Sequence, residues 1–574
     1  MPKPIVDPSR TCRRWISMKK RGAQCLLVVL VLVTTRTVSI SWPHRRAFFH
    51  TSISSGPRSL SRFRAGENVH ADIVISEKVP HVEHTEEKTF SGNIQNSTKA
   101  LILMDAFCDY HGLYLAERAR QVYGVATISV LSDYMAGYFL QQHSKQSDHG
   151  ESPDELLSQA MPSSLEEAKI WLQSLQQVHG LEDIVAVICE SDPGLAHAEQ
   201  LGEWLNVKYQ NNNGPKGAIN EARRNKFLMM ETLRAAGVPV VQQQLCQTED
   251  EAVEFASQLG LTESSFSTSP TRVVVKPCRG CGSDDVFLCQ DLLSVRQAFD
   301  RIHGSTVFGS PDKKHESVLL QEFAVGQEFA IDTVSKNGHM KIAAIWKYDK
   351  RPANGAPFVY YATQLYSSDA QEIQENVKCI LYDYLDDCLT ALDIAWGITH
   401  SEVILSADSK TGKLTPRLVE VNCRQHNMNF LPLTMSGIGY NVFDMLLAAY
   451  LGDDNNVHDG GESVGEKLDW ELLPNIPSNR LNAAMIHLVN TQEGILIQVN
   501  EPALYEIQAM ESVWDLEVYH HFLEPGSEIK PTVDIKTDAG WVQLLHPDKE
   551  IFERDYRRII ELMPTLFEVE HGRR

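Results

Sequence analysis

Residues 272–286 read RVVVKPCRGCGSDDV, and this stretch decides the predicted fold. The β-branched residues before Lys276 predict a buried strand, and the lysine places an ammonium group at its end. Gly280 and Gly282 let the backbone approach a ligand, and successive N–H groups in such a loop form a concavity that suits an anion. The stretch therefore predicts a phosphate site, or alternatively a plain β-hairpin with residues 286–289 as the second strand.

Composition and charge narrow the class of protein. The 574 residues are 43% hydrophobic and 22% charged, as in soluble globular proteins, and suffice for about three or four domains. Residues 1–66 contribute about +12 to a net charge of −22, so the rest of the chain carries about −34. This acidic body argues against a nucleic-acid partner. The eleven cysteines are scattered and odd in number, which favours mostly reduced thiols.

The first 97 residues are predicted to be a targeting leader and linker. A basic segment precedes the apolar residues 25–33, which are too few to span a bilayer comfortably. An acid-free segment rich in Ser and Arg follows. The pattern resembles the bipartite plastid-targeting leader of algae with complex plastids; a secretory signal peptide, a membrane anchor and a mitochondrial presequence are the alternatives. We expect the mature body not to be embedded in a membrane.

Strands and helices alternate after the leader, which predicts an α/β domain over residues 98–213. This alternation favours a doubly wound parallel sheet with ligands at the strand ends. No GxGxxG motif follows the first strand, so a dinucleotide site is not predicted. The expected strands are 100–104, 125–131 and 184–189, and the expected helices are 112–123 and 163–178.

The remaining chain predicts two further units, so that the overall class is mixed α/β and α+β. The central unit covers residues 214–450, and residues 242–323 form its smaller, lid-like subdomain. A helix over 220–236 and a strand beginning at Val238 precede the phosphate stretch. Residues 451–574 alternate strands with turns and finish on a helix, which predicts a small α+β C-terminal unit.

The most informative pattern is a hairpin near residue 411. If its loop centres on Thr411, Glu402 lies directly opposite Glu420, and the period of two places Asn422 and Arg424 on the same face. Two carboxylates on one buried strand face repel each other unless a cation joins them. This hard-oxygen set suits Mg²⁺, with Mn²⁺ as the alternative.

Five stretches together carry a resemblance to the ATP-grasp superfamily, and within it to carboxylate–amine ligases typified by bacterial L-amino-acid ligases. The resemblance covers about residues 99–574, and the stretches stand in the family's order. They are ARRNKFLMMETLRAAGVP at 222–239, VVVKPCRGCGSDDV at 273–286, VLLQEFAVGQEFAID at 318–332, HSEVIL at 400–405 and RLVEVNCR at 417–424.

The resemblance implies a role for each matching residue toward ATP and magnesium. Two lysines would hold the α- and β-phosphates, and a loop would close over the phosphates: Lys226 and Lys276, then Gly280, Gly282, Ser283 and Asp284. The adenine edge and the ribose would be read by Glu322 with the backbone of Phe323, Ala324 and Val325, and by Glu328. The metal ligands would be Glu402, Glu420 and Asn422. Arg424 and Lys276 would be catalytic, the arginine by steadying an acyl phosphate.

The implied function is an ADP-forming ligase that joins small-molecule carboxylate and amine substrates, amino acids foremost. The basic residues Lys347, Lys350 and Arg351 are candidates for binding the substrate carboxylate, with a solvated loop as the alternative. Competing functions are a ligase or carboxylase acting on a nucleotide precursor or bicarbonate, and an ATP-binding protein without turnover. Whether the chain forms a homodimer stays open.

Overall fold

The structure is a computed structural model that describes the chain from residue 97 onward, with short gaps. The described ranges are 97–106, 112–136, 159–212, 221–263, 271–280, 285–307, 310–367, 371–408, 410–426, 430–453 and 467–570. The predicted leader lies outside them. No helix within these ranges is long and apolar enough to cross a membrane.

The N-terminal unit is a parallel sheet of four strands in the order β3-β2-β1-β4. Helix α1 packs against one face of the sheet, whereas α2 and α3 pack against the other, so the unit is doubly wound as predicted. The strands are β1 (Lys99–Met104), β2 (Ala126–Leu131), β3 (Gln159–Ala160) and β4 (Asp183–Cys189), and the helices are α1 (Leu113–Tyr123), α2 (Leu165–His179) and α3 (Leu195–Leu205).

A second, small sheet carries the phosphate stretch and has the strand order β5-β10-β6-β7. Its apolar face is covered by two helices, and its strands lie between residues 243 and 322. Lys276 is the last residue of β6. The elements are β5 (Gln243–Cys246), β6 (Val273–Lys276), β7 (Phe287–Cys289) and β10 (Val318–Glu322), with α5 (Glu249–Gln258), α6 (Leu292–Ile302) and a β8 (Thr306–Val307), β9 (Ser310–Lys314) ribbon.

The third sheet has eight strands in the order β15-β14-β11-β12-β13-β16-β20-β18. Antiparallel pairing of β13 with β16, through Ala362 and Ile486, joins strands from both sides of the predicted boundary at 450/451. The predicted C-terminal unit therefore extends the central sheet by three strands, and it also has a small three-stranded sheet of its own. The strands are β11 (Gln327–Lys336), β12 (His339–Ala353), β13 (Ala356–Leu365), β14 (Gly397–Ala407), β15 (Leu414–Asn422), β16 (Asn482–His487), β18 (Val513–Val518) and β20 (Gly540–His546).

The other elements pack around this large sheet. A three-stranded sheet in the order β19-β17-β21 lies in the C-terminal part. Its strands are β17 (Gly494–Val499), β19 (Glu528–Ile529) and β21 (Phe567–Glu570). The helices are α4 (Lys226–Ala235), α7 (Gln371–Ala391), α8 (Leu431–Gly437), α9 (Val442–Leu451), α10 (Glu501–Gln508) and α11 (Lys549–Leu562), with short 3₁₀ turns at Trp470–Leu472, His520–Phe522 and Met563–Thr565.

Two element boundaries differ from the prediction for local reasons. Helix α4 begins at Lys226 and not near residue 220, because the Asn225 side chain accepts hydrogen bonds from the N–H groups of Phe227 and Leu228 and so caps the helix. The strand expected from Val238 begins only at Gln243, after the proline at 239.

Candidate active site

One large cleft, of about 1520 Å³, brings the predicted site residues together. The small sheet contributes Lys276 and the loop residue Gly280, and α4 contributes Lys226. The large sheet contributes Glu402 from β14 and Glu420 from β15. Segments far apart in the sequence therefore meet at one site, as the phosphate-and-metal hypothesis requires. The predicted loop residues Gly282, Ser283 and Asp284 lie outside the described ranges.

The two lysines enter the cleft from neighbouring backbone segments. Lys226 is the first residue of α4, and its Nζ donates to the Gly280 carbonyl oxygen at 2.8 Å and pairs with Glu420 Oε2 at 2.8 Å. Lys276 is 4% exposed. Burial and the neighbouring charge of Lys226 lower the pKa of Lys276 to about 8, although Glu420 and Glu402 oppose that shift. Two ammonium groups in one cleft would be stabilised by an anion bound between them.

The register of the β14–β15 hairpin is as predicted, because Glu402 lies directly opposite Glu420. A β-bulge after Glu402 shifts the pairing by one residue toward the turn, so that Val403 faces Leu418. The Asn422 side-chain amide donates to Glu420 Oε1 at 2.9 Å. All three lie on the face of the sheet that lines the cleft.

These carboxylates remain charged despite their burial. Burial would raise the pKa of Glu420, but the Lys226 ammonium outweighs that cost and lowers it. For Glu402, burial is likewise opposed by Lys350, His400 and the Tyr348 hydroxyl, and its pKa falls well below the usual range. Two ionised carboxylates on facing strands, beside an amide, are a donor set that fits a divalent cation with hard-oxygen preference.

The residues predicted to read the adenine edge lie in and beside the linker between the small and large sheets. Residues 323–326 connect β10 to β11, and Phe323, Ala324 and Val325 all line the cleft. Glu322 Oε2 accepts a hydrogen bond from Gln242 Nε2 at 2.8 Å. The Phe323 N–H donates to the Arg272 carbonyl oxygen at 3.3 Å, so the role predicted for the Phe323 backbone would fall to its carbonyl oxygen.

The three basic residues predicted as candidates for the substrate carboxylate all lie on β12. Lys350 Nζ pairs with Glu328 Oε1, the predicted ribose ligand, at 2.6 Å. Arg351 pairs with Asp349 at 2.7 Å and lies outside the cleft lining. Lys347 is exposed and lines the cleft. An irregularity in the pairing of β12 with β13 between Asp349 and Lys350 interrupts the alternation of faces, so that Lys347 and Lys350 line the cleft and Arg351 does not.

Arg424 is tied to the N-terminal unit. It is 4% exposed, lines the cleft, and its Nε lies 2.7 Å from Asp192 Oδ1, just after β4. Its Nη1 donates to the Gln425 carbonyl oxygen at 2.7 Å. The first unit therefore holds the predicted catalytic arginine by an ion pair, which is consistent with ligand sites at the strand ends of an α/β sheet.

Sequence reasoning missed a histidine cluster beside Glu402. Asp332 accepts hydrogen bonds from Trp346 Nε1 at 2.7 Å, and its two oxygens lie 3.0 Å from the Nδ1 atoms of His400 and His426. The Tyr348 hydroxyl stands 3.5 and 3.4 Å from the two Nε2 atoms. The signal was available, since His426 continues the period-two pattern Glu420, Asn422, Arg424.

The two histidines differ in protonation. Burial disfavours the charge on both, but hydrogen bonds to Asp332 and Glu402 raise the pKa of His400 to about 9. For His426, burial and the adjacent His400 charge lower the pKa to about 4 despite Asp332. The ligand atoms of Asp332, His400 and His426 all lie within 4.8 Å of one another, and their Nδ1 contacts identify Asp332 as the group that orients both rings.

Glu190, which directly follows β4, leads to a prediction about the stability of the protein. It is 6% exposed, burial raises its pKa to about 8, and its Oε1 has no hydrogen-bond partner among the described residues. As pH rises from about 4.5 to 8, the unfolded chain loses this proton and the folded chain keeps it, so the native state loses stability.

Glu190→Gln is therefore expected to raise the thermal midpoint at pH 8 but not at pH 4.5. The gain corresponds to on the order of 3 to 5 kcal/mol at pH 8 and shrinks as the pH falls. Differential scanning fluorimetry at both pH values measures it, and Glu316→Gln, at an exposed position, is the control. An equal effect of Glu190→Gln at both pH values would contradict the raised pKa.

Comparisons with known proteins agree with this geometry. The sequence profile described as "ATP-grasp domain" matches residues 269–427. This range includes Lys276 and the facing pair Glu402 and Glu420. The chain contains an ATP-grasp domain. Dapdiamide A synthase from Enterobacter agglomerans is 27% identical to this ATP-grasp protein over 342 residues, which are 58% of this chain and 68% of that protein.

Solved structures extend the likeness over most of the ATP-grasp protein. An L-amino acid ligase from Bacillus licheniformis has a TM-score of 0.54 and 16% identity, covering 82% of this chain and 99% of that one. Carboxyaminoimidazole ribonucleotide synthase from Aspergillus clavatus, solved with ATP, has a TM-score of 0.51 and 13% identity, covering 81% and 98%. At such identities these structures show the fold. Together the comparisons confirm the predicted family, a carboxylate–amine ligase of the ATP-grasp type, and the predicted mixed α/β and α+β fold.

Proposed function

We propose that this ATP-grasp protein joins the carboxylate of one amino acid to the amine of a second through an acyl phosphate, with release of ADP and phosphate. The observation that carries the proposal is the facing pair Glu402 and Glu420, set in one cleft with Lys226 and Lys276. The relationship to dapdiamide A synthase supports amide-bond formation over other reactions of the superfamily.

The cleft supplies positive charge where phosphoryl transfer needs it. Lys226 and Lys276 lie at the end formed by the small sheet, where they would bind the phosphates. Arg424, held by Asp192, lies beyond the carboxylates and would stabilise the negative charge on the transferring phosphoryl group and on the acyl phosphate. Because Lys226 and Lys350 pair with Glu420 and Glu328 in this structure, nucleotide binding would exchange these ion pairs for contacts to the ligand.

Glu402, Glu420 and Asn422 would hold Mg²⁺, since their oxygen-rich, buried and ionised donor set fits that ion. When bound, Mg²⁺ would neutralise phosphate charge. The linker between the two sheets would allow the small sheet to close over the nucleotide and exclude water, which would otherwise hydrolyse an acyl phosphate.

The direct test measures ADP release with Mg-ATP over the twenty amino acids, singly and in pairs, with mass spectrometry of the product. We expect ADP release that depends on a specific pair and a product whose mass equals the sum of the pair less one water. ADP release with bicarbonate or a nucleotide precursor, and not with any pair, would overturn the amino-acid assignment. ATP binding without ADP release for any substrate would favour the ATP-binding protein without turnover.

A second proposal concerns the compartment. The predicted leader over residues 1–97 would direct the protein to an organelle, with the plastid of an alga with complex plastids favoured by its composition. A fusion of these residues to a fluorescent protein, expressed in such an alga, tests this. Fluorescence confined to the mitochondrion or the secretory pathway would replace the plastid assignment.

A further inference from the structure

A second histidine–aspartate pair lies in the wall of the same cleft, on the strand contributed by the C-terminal residues. His487 is the last residue of β16 and is 1% exposed, while Asp538 is 2% exposed and precedes β20. His487 Nδ1 lies 2.8 Å from Asp538 Oδ2. His487 lines the cleft together with Tyr360 and Ile535. Neither member of the pair has a role in the function proposed above.

The surrounding backbone fixes the imidazole ring in place. On both sides of the pair, the two segments exchange hydrogen bonds, from Leu488 N to the Gly540 oxygen and from Ala539 N to the Leu488 oxygen, each at 2.8 Å. Burial raises the pKa of Asp538, and the hydrogen bond to His487 opposes that rise. Because Nδ1 contacts Asp538, the Nε2 atom points away from this carboxylate.

That Nε2 atom is buried and has no hydrogen-bond partner among the described residues. A buried polar atom without a partner costs on the order of 1–3 kcal/mol, so native proteins rarely retain one unless a water or ligand satisfies it. An imidazole whose Nδ1 proton is donated to a carboxylate presents a lone pair at Nε2. The complementary ligand group is therefore an N–H donor.

The floor beside His487 is aromatic and accommodates a positive charge. The Tyr360 ring lies 5.9 Å from the His487 ring and 5.2 Å from that of Tyr348, whose hydroxyl donates to Glu402 Oε1 at 3.2 Å. The Lys350 ammonium already lies 4.5 and 4.4 Å from the centres of these two tyrosine rings. The two rings therefore connect His487 to Glu402, so a substrate group bound at His487 lies on the route to the proposed metal ligands.

We propose that His487 is a specificity-determining residue that binds an N–H donor of the amine substrate through Nε2, with Asp538 as its positioning residue. This inference rests on the proposed ligase function and deepens it. Both substrates are amino acids, so their positions distinguish them: Arg424 lies just after β15, where it would stabilise the activated carboxylate, whereas His487 ends β16, five strands away in the same sheet. The second substrate, which supplies the amine, can donate an N–H to the imidazole lone pair there. The two substrates would then be recognised by opposite ends of one cleft.

A matched pair of variants tests the role of Nε2. His487→Asn keeps an amide N–H near the Nδ1 position, where it can still donate to Asp538, but removes Nε2. His487→Gln places an amide oxygen near the Nε2 position. Using the amino-acid pair with the highest ADP release, we expect His487→Asn to raise the KM for the amine about tenfold or more, and His487→Gln to recover much of that loss.

The step before amine attack provides the internal control. Positional isotope exchange in γ-labelled ATP, measured with the carboxylate substrate and without amine, should stay within about twofold of wild type in His487→Asn. An unchanged KM for the amine in that variant, with wild type active, overturns this inference alone. Absence of amine-dependent ADP release in wild type overturns the proposed function as well.

Asp538→Asn gives an independent measurement if the histidine variants fold poorly. It leaves Nε2 in place but weakens the hold on Nδ1, so the KM for the amine should rise while the KM for ATP stays within about twofold. A rise in the KM for ATP equal to that for the amine would indicate a general structural role and would contradict the assignment of Asp538 as a positioning residue.

Discussion

Glu420→Gln is expected to lower kcat by about 10³-fold while leaving the fold intact. The substitution keeps the size and one hydrogen-bonding oxygen of the side chain but removes the charge that pairs with Lys226 at 2.8 Å and faces Glu402 across the hairpin. The proposed set of metal ligands then contains one carboxylate in place of two. The positive charge that would offset the transferring phosphoryl group is therefore no longer held in position. ADP release under saturating Mg-ATP and substrates measures the effect.

Two further measurements separate this loss from misfolding. Far-ultraviolet circular dichroism and the thermal midpoint of Glu420→Gln should match those of wild type, and the exposed variant Glu316→Gln should retain full activity. The Mg²⁺ concentration that gives half-maximal activity should rise in any residual turnover. Rates close to wild type in Glu420→Gln would show that this carboxylate is not a metal ligand.

Lys276→Met is expected to keep or raise the thermal stability of the protein and to lower its affinity for ATP. The lysine is 4% exposed and its pKa is lowered to about 8, so holding its charge in the ligand-free protein costs free energy. A methionine of similar length removes that cost, and buried charges are often replaced by apolar residues at no loss of stability. We expect an equal or higher thermal midpoint without ligand.

The affinity of Lys276→Met for ATP should fall. Without the ammonium at the end of β6, the affinity for Mg-ATP should fall about 100-fold or more, because a buried charge-assisted contact to phosphate is lost. Isothermal titration with Mg-ATP measures the affinity, and Lys313→Met, at an exposed position on the small sheet's ribbon, should bind normally. A normal affinity in Lys276→Met would remove this residue from the phosphate site.

The elements that the sequence predicted well are those specified by short-range pattern. The pairing of Glu402 with Glu420 follows from a turn of known position and from the period of two, both of which act within about twenty residues. The strand ending at Lys276 follows from its β-branched run. The N-terminal α/β unit was predictable because alternating elements with short connections leave few topologies.

The features that escaped prediction depend on partners far apart in sequence. Lys350 pairs with Glu328 across two strands, so its basic neighbours in sequence gave a misleading cluster. His487 and Asp538 are 51 residues apart and meet only because β16 and β20 are neighbours in the large sheet. Whether a polar residue contributes to a functional site depends on its burial, and its burial depends on how the sheets assemble.

The pairing of β13 with β16 has a practical consequence for anyone who produces this enzyme in pieces. A shortened recombinant chain that stops after residue 453 would leave β13 as an open edge, with unpaired backbone donors and acceptors along residues 362–364. Such edges recruit other copies and lead to aggregation. Expression of the nucleotide-binding part alone should thus yield insoluble material, whereas chains that retain the last strands should stay in solution.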